Sequence, residues 1–197
     1  MLKAIERGIN RLMDWIGIIS ATLLILLVLV IGFNVLNRYA LKIEGLGVGY
    51  EELAWHFYAA CFLLGIPYAL RTASHVRVDL IFDNLKPKTQ AIIDIVGTII
   101  FLVPFCIVVV WSGWSFLMEA WSLGDRSSQF GGLIKQIIST GVGEKSQDPG
   151  GLLNRWIIKG VIPLSFFLLL LASVSFFLNK VNVLRDIEDD STEVMES

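Results

Sequence analysis

Two histidines are the residues of this 197-residue chain best suited to haem or metal ligation. His56 and His75 are 19 positions apart, which corresponds to a rise of about 28 Å on one helix. They would lie near opposite ends of a membrane-crossing helix and could not share one haem. A metal site needs three or four ligands, so we predict no metal and no cofactor. His75 and Asp79 are four residues apart, share a helical face and are interpreted as structural or partner contacts.

The remaining reactive side chains form no catalytic pattern. Cys61 and Cys106 both lie within apolar stretches, where cysteine packs as a small apolar residue. We predict no disulfide between them. No nucleophile has a general base at a productive spacing, so an enzyme is not predicted.

The overall composition indicates an integral membrane protein. Hydrophobic residues make up 55% of the chain and charged residues only 17%, compared with roughly 25% charged in a soluble domain. The 16 basic and 18 acidic residues leave a net charge of −2. A nucleic-acid-binding protein would need a basic excess, so that class is excluded.

Four stretches without Asp, Glu, Lys or Arg are long enough to cross a bilayer as helices. They are residues 15–37, 53–70, 95–118 and 160–179. The predicted fold class is therefore an all-α integral membrane protein with four transmembrane helices, within a domain spanning 15–180.

The flanking segments differ from this domain in character. Residues 1–14 place apolar side chains on one helical face and charged ones on the other, which predicts an interfacial amphipathic helix before the chain turns into the membrane. The acidic tail, residues 181–197, is predicted to be cytoplasmic and disordered. With both termini inside, the inner segments carry nine Lys and Arg residues and the two outer loops six, besides Lys159 at the start of span four, so we predict an N-in/C-in orientation.

Charged residues gather at the span ends. Glu51 and Glu52 open span two and Arg71 closes it, a layout that favours the helix dipole. Lys159 opens span four, where a cation is unfavourable. We therefore expect Lys159 to pair with a carboxylate of span two or of a partner subunit.

The span middles carry no charged residue, whereas transporters usually place ionisable groups near the midplane. The chain is thus predicted to pack against a larger partner rather than to transport a polar solute alone. Two alternatives remain open, a membrane-anchor subunit of an oxidoreductase and a stand-alone small transporter. The histidine spacing argues against the first, and the apolar span middles argue against the second.

A series of short motifs runs along the spans in a characteristic order. They are Asn34-Val-Leu-Asn-Arg38-Tyr39, Glu51-Glu52-Leu53, Leu64-Gly65 with Arg71, His75-Val-Arg-Val-Asp79, and Trp156-Ile-Ile-Lys159 followed by Ile162-Pro163-Leu164. In this order the chain resembles the small membrane subunit of tripartite ATP-independent periplasmic (TRAP) transporters, over about residues 10–180. Arg155 and Ser165 depart from the pattern, because many members have Pro and Gly there. Residues 148–152, Asp-Pro-Gly-Gly-Leu, resemble the mannitol or chloroaromatic subgroup.

The resemblance implies a non-catalytic subunit of a sodium-coupled importer in the bacterial inner membrane. In that family a large membrane subunit holds the substrate and sodium sites, and a periplasmic substrate-binding protein delivers the solute, often an organic acid. The small subunit is expected to brace the large one among the membrane lipids and to help dock the binding protein. The residues that match family positions, expected as interface or structural residues, are Arg38, Glu51, Glu52, Arg71, His75, Asp79, Trp156 and Lys159.

Overall fold

The computed structural model describes residues 2–43, 47–72, 85–123 and 130–196. Within these ranges all regular structure is helical, which confirms the predicted all-α class. His75 and Asp79, and the face that they were predicted to share, lie outside the described residues.

Six α-helices follow one another along the described chain. They are α1 (Leu2–Leu36), α2 (Gly47–Arg71), α3 (Pro87–Gly97), α4 (Val103–Ser122), α5 (Phe130–Ser139) and α6 (Trp156–Glu196). A π-helical turn at Asn37–Leu41 extends α1, and another at Thr98–Leu102 joins α3 to α4.

Within the described ranges, four helical stretches are long and apolar enough to cross a membrane, which confirms the predicted number of spans. They are Glu6–Leu41, Val48–Arg71, Pro87–Ser122 and Trp156–Arg185. Each extends beyond the uncharged stretch that predicted it. Charged residues near helix ends keep the helical backbone while their heads reach toward the polar interface, so lack of charge underestimates the helix length.

Helix α6 lies at the centre of the bundle and packs against α1, α2, α3 and α4. In its most apolar stretch 39% of the residues are buried, against 11% in each of the other three spans. The core brings together Met13 of α1, Leu64 of α2, Cys106 of α4 and Leu168 and Ala172 of α6. Because Cys106 is a free, fully buried thiol, it has the packing role that its sequence context predicts.

Small and polar side chains bring the spans close together. Ser20 of α1 donates to the backbone oxygen of Cys61 in α2 at 2.8 Å. Ser175 of α6 donates to Asn10 Oδ1 of α1 at 2.8 Å. In lipid such contacts and close packing, rather than the hydrophobic effect, drive helix association.

The segment before the first span continues directly into it. Helix α1 runs from Leu2 to Leu36 without a turn after residue 14. Met13 is fully buried in the core, and Ile9 and Ile16 pack against that core. The apolar face attributed to an interfacial helix is thus used, at least from Ile9 onward, for packing within the bundle.

Helix α6 continues through the acidic tail to Glu196. No Gly or Pro follows Pro163, so no residue that breaks helices interrupts this segment. Its composition alone predicted disorder, because acidic, polar chains bury little apolar surface.

Candidate functional site

Polar ties lock the end of the bundle at which α1 begins and α2 finishes, here called the terminal end. Arg71 of α2 forms an ion pair with Asp14 of α1. Lys180 of α6 pairs with Asp94 of α3 at 2.7 Å, and both side chains are largely buried. These two ion pairs join α1 to α2 and α3 to α6. Arg71, which the sequence places at the end of span two, therefore has its partner within this chain.

At the opposite end, here called the loop end, residues 140–155 fold into a compact segment between α5 and α6. We call it the cap segment. Gly143 has φ = +71°, and a Cβ there would lie 2.7 Å from the Ala120 carbonyl oxygen. The next residue, Glu144, donates its backbone N–H to that same oxygen at 2.8 Å. The cap segment therefore returns directly onto the last turns of α4.

Asn154 connects both sides of the cap segment. Its Oδ1 accepts the backbone N–H of Val142 at 2.7 Å, and its Nδ2 donates to the Ile137 carbonyl of α5 at 2.8 Å. Asn154 has φ = +60°, a left-handed conformation in which asparagine is enriched among non-glycine residues. This side chain fixes α5 and the cap segment just before α6 begins.

Glu52 ties the cap segment to α2. One carboxylate oxygen accepts the Ser146 hydroxyl, and the other accepts the backbone N–H of Leu152 at 2.6 Å. Hydrogen bonds to an ionised carboxylate are stronger than neutral ones. Glu52 therefore anchors the loop across about 100 residues of chain.

Lys159 ties the cap segment to α6. Its ammonium group pairs with Glu144 and lies 3.9 Å from the centroid of the Phe116 ring. Beside it, Trp156 meets Trp121 edge to face, with ring centroids 4.5 Å apart. Cation–π and edge-to-face contacts each add modest stability beyond burial.

The partner of Lys159 corrects the sequence-based expectation of a carboxylate from span two or from another subunit. The cap segment folds back between α4 and α6, and this path brings Glu144 into contact with Lys159. Glu52, the expected kind of partner, is already bound by donors of the cap segment.

The other predicted residues of the loop end are placed differently. Arg38 lies exposed in the π-helical turn after α1, and Glu51 is exposed at the start of α2. His56 lies one turn beyond Glu52, with Nδ1 2.6 Å from the Glu52 carbonyl oxygen. Within the part of the chain that the structure describes, two buried ring nitrogens, His56 Nε2 and Trp156 Nε1, have no hydrogen-bond partner.

Sequence reasoning missed four partners that complete these ties. They are Asp14, Glu144, Ser146 and Asn154. Asp14 had a usable signal, since a carboxylate next to an apolar stretch needs a partner. The other three lie in a turn-rich loop whose fold local sequence does not determine.

The described part of the chain contains no group of three or more His, Cys, Asp or Glu side chains that could hold a metal ion. Large apolar surfaces instead face outward from three helices. Leu29 of α1 is 62% exposed, Phe62 of α2 61% and Trp111 of α4 78%. Such surfaces suit lipid or another membrane helix.

Helices of this length and composition around a central span define a multi-pass membrane protein. Residues 27–183 match the family model of tripartite ATP-independent periplasmic transporters, DctQ component. The match covers most of the chain, and the protein belongs to this family of small TRAP transporter components. The family is a transporter component rather than an enzyme family. Comparison with curated proteins and with solved structures gives no match.

Proposed function

We propose that this chain is the non-catalytic small subunit of a sodium-coupled TRAP importer in the bacterial inner membrane. It braces the large transport subunit and helps to dock the periplasmic substrate-binding protein. The observation that carries the proposal is the combination of outward apolar helix faces with a folded cap segment at one end.

The bracing role rests on the distribution of burial and charge. Three of the four spans bury only 11% of their most apolar stretch within the chain. Their middles contain no Asp, Glu, Lys or Arg, so they lack the groups that usually bind ions or polar solutes in a membrane. A subunit with these properties contributes contact surface, while the large subunit supplies the transport site.

The docking role rests on the cap segment and on its orientation. The excess of Lys and Arg near the terminal end supports a cytoplasmic location for that end, so the loop end would face the periplasm. There Glu52 and Lys159 bind the loop, and Trp156 packs against Trp121 of α4 beside it. A rigid loop docks a partner at a lower entropic cost than a mobile one.

The remaining predicted residues fit the same division of roles. We propose Arg38 and Glu51 as contacts with other subunits, because both are exposed at the loop end. Arg71 is proposed as structural through its pair with Asp14. His75 and Asp79 are proposed as structural or partner contacts at the cytoplasmic end.

Whole-cell uptake tests the proposal. Cells that carry the large subunit and the binding protein, with or without this chain, would be assayed on a panel of radiolabelled organic acids with and without sodium. We expect deletion of this chain to abolish sodium-dependent uptake, and a plasmid copy to restore it. Full uptake without the chain would contradict the proposal.

A further inference from the structure

An open groove runs between α1 and α2 near the loop end. The groove has a volume of about 500 Å³, and its lining residues are Leu27, Ile31, Asn34, Glu51, Ala54, Trp55 and Tyr58. We call it the α1–α2 groove. On each helix the lining residues recur every three or four positions, and Ala54 and Trp55 are the one neighbouring pair among them. The groove thus follows one face of each helix over about two turns.

The chemistry of the α1–α2 groove changes along its length. Leu27 and Tyr58 lie toward the middle of the membrane, whereas Asn34 and Glu51 lie toward the loop end. Glu51 is exposed, and among the described residues no ion pair involves it. An exposed carboxylate without an ion-pair partner can form a charge-assisted pair with a basic side chain of a neighbouring subunit. The groove therefore fits an occupant that is apolar for most of its length and basic at one end.

The aromatic side chains of the groove fit the same occupant. Trp55 is 71% exposed and Tyr58 54%, and their rings meet edge to face with centroids 6.2 Å apart. Exposed Trp and Tyr side chains are frequent hot spots of protein interfaces. Their faces also attract a guanidinium or ammonium group, the same kind of group that would pair with Glu51.

We propose that the α1–α2 groove is the seat of a transmembrane helix of the large subunit, and that this helix brings a basic side chain to Glu51. The proposal rests on the function proposed above and names the face of this chain that meets its partner. When two helices pack, rows of side chains on one fit between the rows on the other, with the helix axes about 8–10 Å apart. A two-turn groove between α1 and α2 accepts such a ridge.

Paired tryptophan substitutions test directly whether the α1–α2 groove binds the large subunit. Ala54→Trp fills the α1–α2 groove, whereas Ala21→Trp adds the same bulk to an exposed position on another face of α1. The complex of tagged variant and large subunit would be purified in mild detergent. We expect Ala54→Trp and Glu51→Lys to lower recovery of the large subunit at least tenfold, and Ala21→Trp to leave it unchanged. Circular dichroism and gel filtration would check that each variant is folded.

A photo-cross-linker provides a second readout that does not depend on folding of the Trp variant. With p-benzoylphenylalanine in place of Tyr58, we expect an adduct with the large subunit in native membranes. An adduct with a second copy of this chain, or with lipid only, would overturn the proposal. Equal recovery of the large subunit by all variants would also overturn it while leaving the proposed function intact. If even the unaltered chain recovers no large subunit, the proposed function itself fails.

Discussion

At the scale of single residues, the adjacent carboxylates Glu51 and Glu52 have different surroundings. Glu52 accepts two hydrogen bonds from the cap segment, whereas Glu51 is exposed and lines the α1–α2 groove. Helical geometry explains the difference, because neighbouring residues are about 100° apart around the axis. One carboxylate turns toward the chain's own loop and the other toward the α1–α2 groove.

The pair Glu52→Gln and Glu51→Gln separates these roles. Glutamine at 52 removes the charge that strengthens the bonds to Ser146 and Leu152, at a cost of roughly 1–3 kcal/mol. We expect faster amide exchange in residues 140–155 of the Glu52→Gln variant, measured by hydrogen–deuterium exchange mass spectrometry. The Glu51→Gln variant serves as the matched control and should exchange as the unaltered chain does. Equal protection of the cap segment in both variants would contradict the assigned role of Glu52.

The sequence predicts the depth at which a polar residue lies along its span better than it predicts which residue pairs with it. Counting along the spans places Asp94 and Lys180 at the same end, and they do pair. The partner of Lys159 could not be obtained in this way, because it depends on where the cap segment returns. Pairing requires the rotation of each helix and the path of each loop, which tertiary packing determines.

At the scale of helices, hydrophobic length predicts the spans but not their packing. The four uncharged stretches locate the four helical spans because the bilayer requires about 20 apolar residues in each. The continuity of α1 through Met13 was not predicted, since an amphipathic face looks the same whether it meets lipid or another helix. Met13 is buried in the core, so this face of α1 packs against other helices of the bundle.

The contact between α4 and α6 gives a prediction at this scale. A Cβ at Gly113 would lie 3.2 Å from Pro163 Cδ, whereas a Cβ at Gly32 would meet nothing within 4 Å. We expect Gly113→Ala to destabilise the bundle by about 1 kcal/mol or more, as overpacking does. Gly32→Ala adds the same methyl group to an open helix position and should be neutral or slightly stabilising. Thermal unfolding in detergent measures both, and equal midpoints would contradict the close α4–α6 packing.

At the scale of the whole molecule, the chain is a bundle arranged around α6, with its other spans largely open to their surroundings. Ion pairs lock the terminal end, and the cap segment locks the loop end. A bundle fixed at both ends would offer a stable surface to the large subunit proposed above as its partner. This arrangement is the physical basis for assigning the chain a bracing role.

Sodium-driven uptake into proteoliposomes tests that central claim most directly. Vesicles would contain this chain alone, the large subunit alone, or both, each with the binding protein and the transported acid outside. We predict sodium-dependent uptake only where both membrane subunits are present. Uptake by this chain alone, or full uptake by the large subunit without it, would contradict the claim.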